Sequence, residues 1–230
     1  MSNAPLKLLS SMATRELLSE LLSQYERASG RVVKAEAAGG VDVAKRVQAG
    51  EAADVVVLAN NAIDKLIADG KVLTGSRVDL VRSGVSIAVK AGAPRPDVSS
   101  ESAVKDAVEA ARTISYSTGP SGVYLEKMFA RWGILEALRS RIVVPPPGIP
   151  VGSLVAKGEV ELGFQQLSEL LNLPGIDVIG PLPPAIQTIT VFSAGLCAAS
   201  ADVPGARALI EYLAKPEAAS VKHKYGMEPA

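Results

Sequence analysis

Ala53–Gly70, ADVVVLANNAIDKLIADG, is the stretch whose reading decides the fold. Val55, Val56, Val57 and Leu58 leave no polar position in their run, the mark of a strand buried on both faces. The chain then passes directly into NAIDKLIADG, a helix capped by Asn60 or Asn61 and stopped by Gly70. A doubly buried strand followed at once by a helix predicts a parallel sheet covered by helices.

The same alternation extends in both directions. Upstream, PLKLLSS (5–11) reads as a short buried strand, followed by a helix over MATRELLSELLSQYERASG (12–30). In that helix Leu17, Leu18, Leu21, Leu22 and Tyr25 recur at helical spacing before Gly30 closes it. RVVKAEA (31–37) alternates like a strand, Gly39 and Gly40 break it, and VDVAKRVQAGE (41–51) is helical. Downstream come the strand GVSIAVKAGAPRPD (84–97), the helix SESAVKDAVEAAR (100–112) and the strand TISYS (113–117). The helix GVYLEKMFARWGI (122–134), the strand RIVVPPP (141–147), the loop and helix GIPVGSLVAKGEV (148–160) and the strand ELGFQQ (161–166) follow. A long strand over Thr188–Ala198 and a helix pair over 204–226 close the chain. The order predicts an α/β protein of two lobes, each a mostly parallel sheet flanked by helices. One lobe takes residues 1–90 plus 188–230, the other 91–187, and the chain crosses between them near VKAGAP and IQTITVFSAG.

Bulk composition suits this architecture. The 230 residues are 48% hydrophobic and 21% charged, and 24 Lys plus Arg balance 24 Asp plus Glu. No global field favours nucleic acid or an anionic membrane, whereas a compact anion site needs only a few oriented N–H groups. The single cysteine, Cys197, lies in the apolar stretch GLCAAS and reads as a buried structural thiol. A lone histidine, His223 in VKHKYG, reads as solvated near a helix end and argues against a His-based zinc site or a Ser–His–Asp triad. No cofactor and no metal are expected. There is no apolar run long enough to span a membrane, and MSNAPLKLLSS shows no export signal. The location is therefore cytoplasmic, or periplasmic if a signal peptide has been removed. A monomer without nucleic-acid partner or membrane insertion is expected.

In open α/β sheets ligands bind beyond the carboxyl ends of the strands, where helix N-termini point. Five such junctions stand out: Ser10-Ser11-Met12, Gly39-Gly40, the loop STGPSG (117–122), the stretch IPVG (149–152), and Gln165-Gln166. Small residues let backbone approach a ligand closely, and free N–H groups at a helix start attract anions. STGPSG is neither a P-loop nor a dinucleotide-binding glycine motif. Taken singly, Ser10 and Ser11 read equally as helix caps, Gly39-Gly40 as a turn, and the glutamines as a surface pair. Convergence favours binding, through Ser10, Ser11, Met12, Gly39, Gly40, Ser117, Thr118, Ser121, Gly122, Val151, Gln165 and Gln166.

Three segments carry a resemblance over nearly the whole chain: GVDVAKRVQAGEAADVVVLANNAIDKLIADG, PVGSLVAKGEVELGFQQLSEL and PGIDVIGPLPPAIQTITVFSAG. They resemble type II periplasmic solute-binding proteins, in the branch related to molybdate-binding proteins of ABC transporters. That resemblance implies a periplasmic-binding-protein-like clamshell of two lobes joined by hinge strands, closing on a small anion in the interlobe cleft. It also implies an ABC transporter membrane complex as partner. Molybdate binders resembling this chain usually carry serine where Gly39 and Gly40 stand, and a small residue where Met12 stands. Losing a hydroxyl and gaining a thioether favours a larger, partly apolar ligand, and adjacent glutamines suit a di- or tricarboxylate. The branch also includes enzymes similar to aconitate isomerase, whose 1,3-proton shift needs carboxylate holders and a proton-transfer group. Arg15 is the candidate holder, and Glu36 and Tyr124 are the candidate proton-transfer groups, although each also reads as an ordinary surface or core residue. A cytoplasmic ligand sensor that partners another protein is a third reading.

Overall fold

The computed structural model describes residues 4–146 and 148–230. Met1–Asn3, where the reading of the chain start begins, and Pro147, the last residue of the expected strand Arg141–Pro147, lie outside the described residues. In chain order the elements are β1 (Leu6–Ser11), a 3₁₀ turn (Met12–Thr14), α1 (Arg15–Ser29), β2 (Val33–Ala38), α2 (Gly40–Gln48), β3 (Val55–Ala59) and α3 (Asn60–Ala68). There follow β4 (Val78–Lys90), α4 (Glu101–Ala110), β5 (Ile114–Tyr116), α5 (Pro120–Arg131), α6 (Leu135–Leu138), α7 (Val151–Lys157), β6 (Leu162–Gln166) and α8 (Leu167–Leu170). The chain ends with β7 (Ile176–Pro181), β8 (Ile189–Leu196), α9 (Val203–Ala214), α10 (Ala219–Lys224) and the two-residue β9 (Glu228–Pro229).

Two compact units divide the chain: Met1–Arg82 with Val191–Ala230, and Ser83–Thr190. The boundaries fall inside β4 and β8 rather than at the Pro/Gly-rich exit after Lys90 where composition placed the first of them. A strand has no reason to change composition where it passes from one core to another, so sequence placed the boundary at the nearest breaker residues.

In the first unit β1 pairs in parallel with β2 and with β3, while β3 pairs antiparallel with β8 and β4 antiparallel with β9. Period-2 geometry splits the apolar runs between two layers. Leu6, Leu8, Val55 and Val57 join α1, α9 and α10 in one cluster, through Leu17, Leu21, Leu209 and Val221. Leu9, Val56 and Leu58 join Val43, Val47, Ile63 and Leu66 of α2 and α3 in the other. This two-sided burial is why Ala53–Ala59 carries no alternation. Cys197 lies in the second cluster, 1% exposed, and burial pushes its thiol up to about 12.

In the second unit β5 and β6 are parallel, whereas β4 runs antiparallel to both β6 and β7. Each unit's sheet is therefore mixed: parallel pairing predominates in the first unit, antiparallel pairing in the second. Ile87, Ile114, Tyr116, Leu162 and Phe164 face a core completed by Val104, Val108, Leu125 and Phe129. Phe129 meets Tyr116 and Phe164 edge-on, with ring centroids 6.0 and 6.2 Å apart. The opposite face carries a smaller cluster of Val151, Leu154, Val155 and Val160 under α7.

Other expectations are corrected in detail. Residue Ala59 is the N-cap of α3, and Asn60 and Asn61 are its first helical residues, each accepting from the N–H that follows. Arg141–Pro146 forms no strand; a single bridge joins Ile142 to Ile114, since successive prolines supply no ladder donors. The last long strand is Ile189–Leu196, shorter at both ends than expected. Helix α5 begins at Pro120, so Ser121 and Gly122 lie in its first turn rather than in the loop. His223 sits near the end of α10, about half exposed, 3.3 Å from Glu228.

Candidate functional site

The first unit presents the carboxyl ends of three adjacent parallel strands. The register sets Ser10 beside Ala37 and Val57, and Ser11 beside Ala38. Ser11 caps the 3₁₀ turn, its Oγ accepting from Ala13 N at 3.3 Å, so the capping role is real. Ser10 is 2% exposed and is not held by any side-chain hydrogen bond among the described residues. Met12 and Gly39 are half-buried at this edge. Gly39 is the N-cap of α2 and offers no side-chain cap. Gly40 adjoins Ser11: a Cβ built on it lies 3.7 Å from Ser11 Oγ. Asp42, in the first turn of α2, places Oδ2 3.1 Å from a Cβ built on Gly39, so this helix start already faces a carboxylate.

In the second unit the register that pairs Tyr116 with Phe164 sets Ser117 level with Gln165, just past the strand end. Ser117 Oγ and Ser121 Oγ are 2.9 Å apart, drawing the loop onto the first turn of α5. This twelve-residue helix has Gly119 as its N-cap, with no side-chain cap and no acid in its first turn. Thr118 is exposed. Gly122 is required by close approach: any Cβ there would overlap the Ser117 carbonyl oxygen and stand 2.9 Å from its carbon. Val151 is fully buried, so only its backbone is available at the start of α7.

The two glutamines behave differently. Gln165, 3% exposed, accepts from Gly152 N at 3.4 Å and donates to Glu169 Oε1 at 2.8 Å. Gln166 is turned inward and consumed by the protein. With its amide oriented to satisfy both ends, the nitrogen donates to Ser83 Oγ at 2.9 Å and the oxygen accepts from Thr190 Oγ1 at 2.9 Å. It ties together the two places where the chain enters and leaves the second unit.

The proton-transfer and carboxylate-holding candidates each have a partner within the protein. Glu36 lies two residues before the end of β2 and pairs with Arg46 at 2.6 Å. The hydrogen bond from that guanidinium holds its carboxyl below the usual range. Arg46 also binds Glu51 at 2.6 Å, and Glu51 binds Lys7 at 2.8 Å. Tyr124 donates to the Ile186 carbonyl at 2.9 Å and packs on the core. Arg15 is more than half exposed and pairs with its neighbour Glu16 at 2.7 Å.

Sequence reasoning missed Glu169. The signal was present as Gln165 and Glu169 four residues apart, spanning a strand end and the helix turn that follows. A separate cavity of about 280 Å³ in the second unit is lined by Tyr116, Glu126, Leu135, Arg139, Ile142 and Val144. Its polar groups have partners: Tyr116 donates to Glu126 at 3.1 Å, and Arg139 pairs with Glu136, outside the lining, at 2.7 Å. No group of three potential metal-ligating side chains occurs among the described residues. No helix among them is long and apolar enough to cross a membrane.

A profile described as bacterial extracellular solute-binding protein matches residues 6–228. The chain belongs to that family. It is 39% identical over 232 residues to a protein named aconitate isomerase from a Pseudomonas species, covering 97% of this chain and 87% of the relative. It is 28% identical over 219 residues to a molybdate-binding protein of Azotobacter vinelandii, covering 91% and 84%. The solved periplasmic molybdate-binding protein of the same organism superposes with a TM-score of 0.80 at 21% identity, covering 96% of this chain and 98% of that one. These matches establish a type II solute-binding protein of the molybdate-binding-like branch, with the α/β fold described above.

Proposed function

We propose that this solute-binding protein recognises a small di- or tricarboxylate through donors at its strand ends. The observation that carries the reading is the start of α5. There, uncapped N–H groups, Ser117 and Ser121 stand together at a strand end, with no acid in the helix's first turn. Such a start is a ready anion site. Met12 and Gly39 in place of small hydroxyl residues support an organic acid over a compact tetrahedral oxyanion. Ser10, Ser11, Gly40 and Gln165 are the other groups assigned to the ligand, and Gln166 acts by holding the strand ends. Delivery to an ABC transporter from the periplasm is the physiological setting that fits the family.

A second reading is favoured by the relative named aconitate isomerase: the acid leaves as its isomer. Thermal-shift titration separates the ligands, with molybdate, tungstate and sulfate in one set and citrate, the aconitates and other polycarboxylates in the other. A ligand at 100 times its Kd adds about 2.7 kcal/mol. At roughly 2–4 °C per kcal/mol for a chain of this size, that is a rise of about 5–11 °C. Stabilisation by molybdate alone would refute the carboxylate assignment. Incubation with cis-aconitate, followed by NMR, decides whether the ligand is changed.

A further inference from the structure

We infer that the cavity of the second unit binds a free α-amino acid with a branched aliphatic side chain. Its lining combines one carboxylate, Glu126, and one guanidinium, Arg139, with the phenol of Tyr116 and an aliphatic wall of Leu135, Ile142 and Val144. None of these residues is among the groups assigned to the polycarboxylate, so the inference stands apart from that assignment.

The cavity is built from elements whose positions are fixed. Glu126 is carried by α5, Leu135 by α6, Arg139 by the 3₁₀ turn Arg139–Arg141, and Tyr116 is the last residue of β5. Leu135 and Ile142 pack on the core of the unit, where the Tyr116 ring meets Phe129. Ile142 is bridged to Ile114, and Val143 N donates to the Ile114 carbonyl at 2.8 Å. Val144 therefore follows a pinned segment, and Pro145 and Pro146 restrict the chain beyond it. At about 280 Å³ the space falls just below the usual range of small-molecule sites, roughly 300–1,000 Å³, so its occupant is small.

The polar groups have partners and still have capacity to spare. Glu126 accepts from Tyr116 through Oε1 at 3.1 Å, and its Oε2 has no hydrogen bond among the described residues. Tyr116 is 8% exposed, so packing sets the hydroxyl that holds this carboxylate. Arg139 commits Nε and Nη2 to Glu136 at 2.7 and 2.8 Å, which leaves Nη1 without an acceptor among the described residues. The two side chains of that pair are 65% and 78% exposed. An ion pair so open to water is worth little, and it does not hold the guanidinium against a ligand carboxylate. The lining itself thus offers one negative and one positive group, which a zwitterion matches with its ammonium on Glu126 and its carboxylate on Arg139. A dicarboxylate would bring a like charge to Glu126, and a simple amine would leave Arg139 unused. Val144, 67% exposed, needs no explanation alone. Beside Leu135 and Ile142 it completes an apolar wall on which a leucine-sized side chain leaves water.

Isothermal titration calorimetry of the whole chain with L-leucine tests the site. Leucinamide, which lacks the carboxylate, and 4-methylpentanoate, which lacks the ammonium, are the comparison ligands. Wild type should bind leucine and bind each comparison ligand roughly tenfold more weakly or worse, since a hydrogen bond to a charged group is lost. Glu126→Gln and Arg139→Gln should each weaken leucine by a similar factor. Both positions are exposed, and the comparison ligands on wild type decide the matter if a variant fails to fold. No binding at millimolar leucine overturns the inference, as does equal affinity for leucine and either comparison ligand. Leucine binding that survives both substitutions but falls in Ser117→Ala places the amino acid at the strand end, and overturns it too.

Discussion

Replacing Gly122 by alanine tests how the second unit builds its strand-end loop. The new Cβ would fall on the Ser117 carbonyl oxygen, 2.9 Å from the carbonyl carbon and 3.1 Å from Tyr116 Cδ2. Backbone is on one side and a buried ring on the other, so no flexible side chain can swing away. Either the end of β5 or the start of α5 must move. Movement separates Ser117 Oγ from Ser121 Oγ, now 2.9 Å apart, at a loss of about 0.5–1.5 kcal/mol for the hydrogen bond. Overpacking adds about 1–3 kcal/mol. Together these give a loss near 1.5–4.5 kcal/mol, or a Tm lower by roughly 3–18 °C at 2–4 °C per kcal/mol. Differential scanning calorimetry on wild type and Gly122→Ala measures it. A Tm within 1 °C of wild type, roughly 0.3–0.5 kcal/mol on the same scale, would refute the close-approach argument. A β-branched residue at the same position should cost at least as much, so affinity loss there must be scored per folded molecule.

Gly40→Ala should behave in the opposite way: a Cβ there lies 3.7 Å from Ser11 Oγ and 3.8 Å from Leu58 Cδ2, ordinary contacts. Its Tm should hold or rise, since alanine gains up to about 1 kcal/mol over glycine in a helix, while carboxylate affinity falls several-fold; unchanged affinity by calorimetric titration would remove this edge from the site. Glu51 titrates at about 2, below its ordinary 4.5, because Arg46 and then Lys7 hydrogen-bond its carboxylate. A depressed acid contributes stability above the unfolded value and loses it as pH falls through the folded one. Urea melts between pH 4.5 and 2 should therefore show a shallower decline for Glu51→Gln than for wild type, and parallel declines would discount the Arg46–Glu51–Lys7 network. Cys197, 1% exposed with its thiol raised to about 12, should resist a thiol-disulfide reagent at pH 8 until denaturant is added; rapid labelling of the native protein would contradict its burial.

Much of the fold was legible because its signals are local. Val55–Leu58 reads as doubly buried from composition alone, and Leu17, Leu21 and Tyr25 mark the inner face of α1 through their spacing, all of which the two core layers of the first unit bear out. Breaker residues were less reliable. The prolines after Val144 were read as the end of a strand, yet their missing N–H groups leave one bridge at Ile142. Strand direction in the second unit was also hidden, because β4 carries the same apolar run whether its neighbour is parallel or antiparallel.

Which chemical types occupy the strand ends was decided by the sequence itself: serines, glycines and glutamines follow the strands, and that placement needs only the local order of elements. What each side chain then does was decided by tertiary structure. Gln165 and Gln166 are adjacent and chemically identical, but alternation along β6 sends one toward Gly152 and Glu169 and the other toward Ser83 and Thr190. Glu36 was an available base on paper until α2 brought Arg46 within 2.6 Å. Gly122 looked like one more flexible loop residue until the Ser117 carbonyl was packed against it. In each case the partner lies on another element or is brought close by the path of a turn. A hydrogen bond or a steric limit is set by distances of a few tenths of an ångström, and only the folded chain determines them.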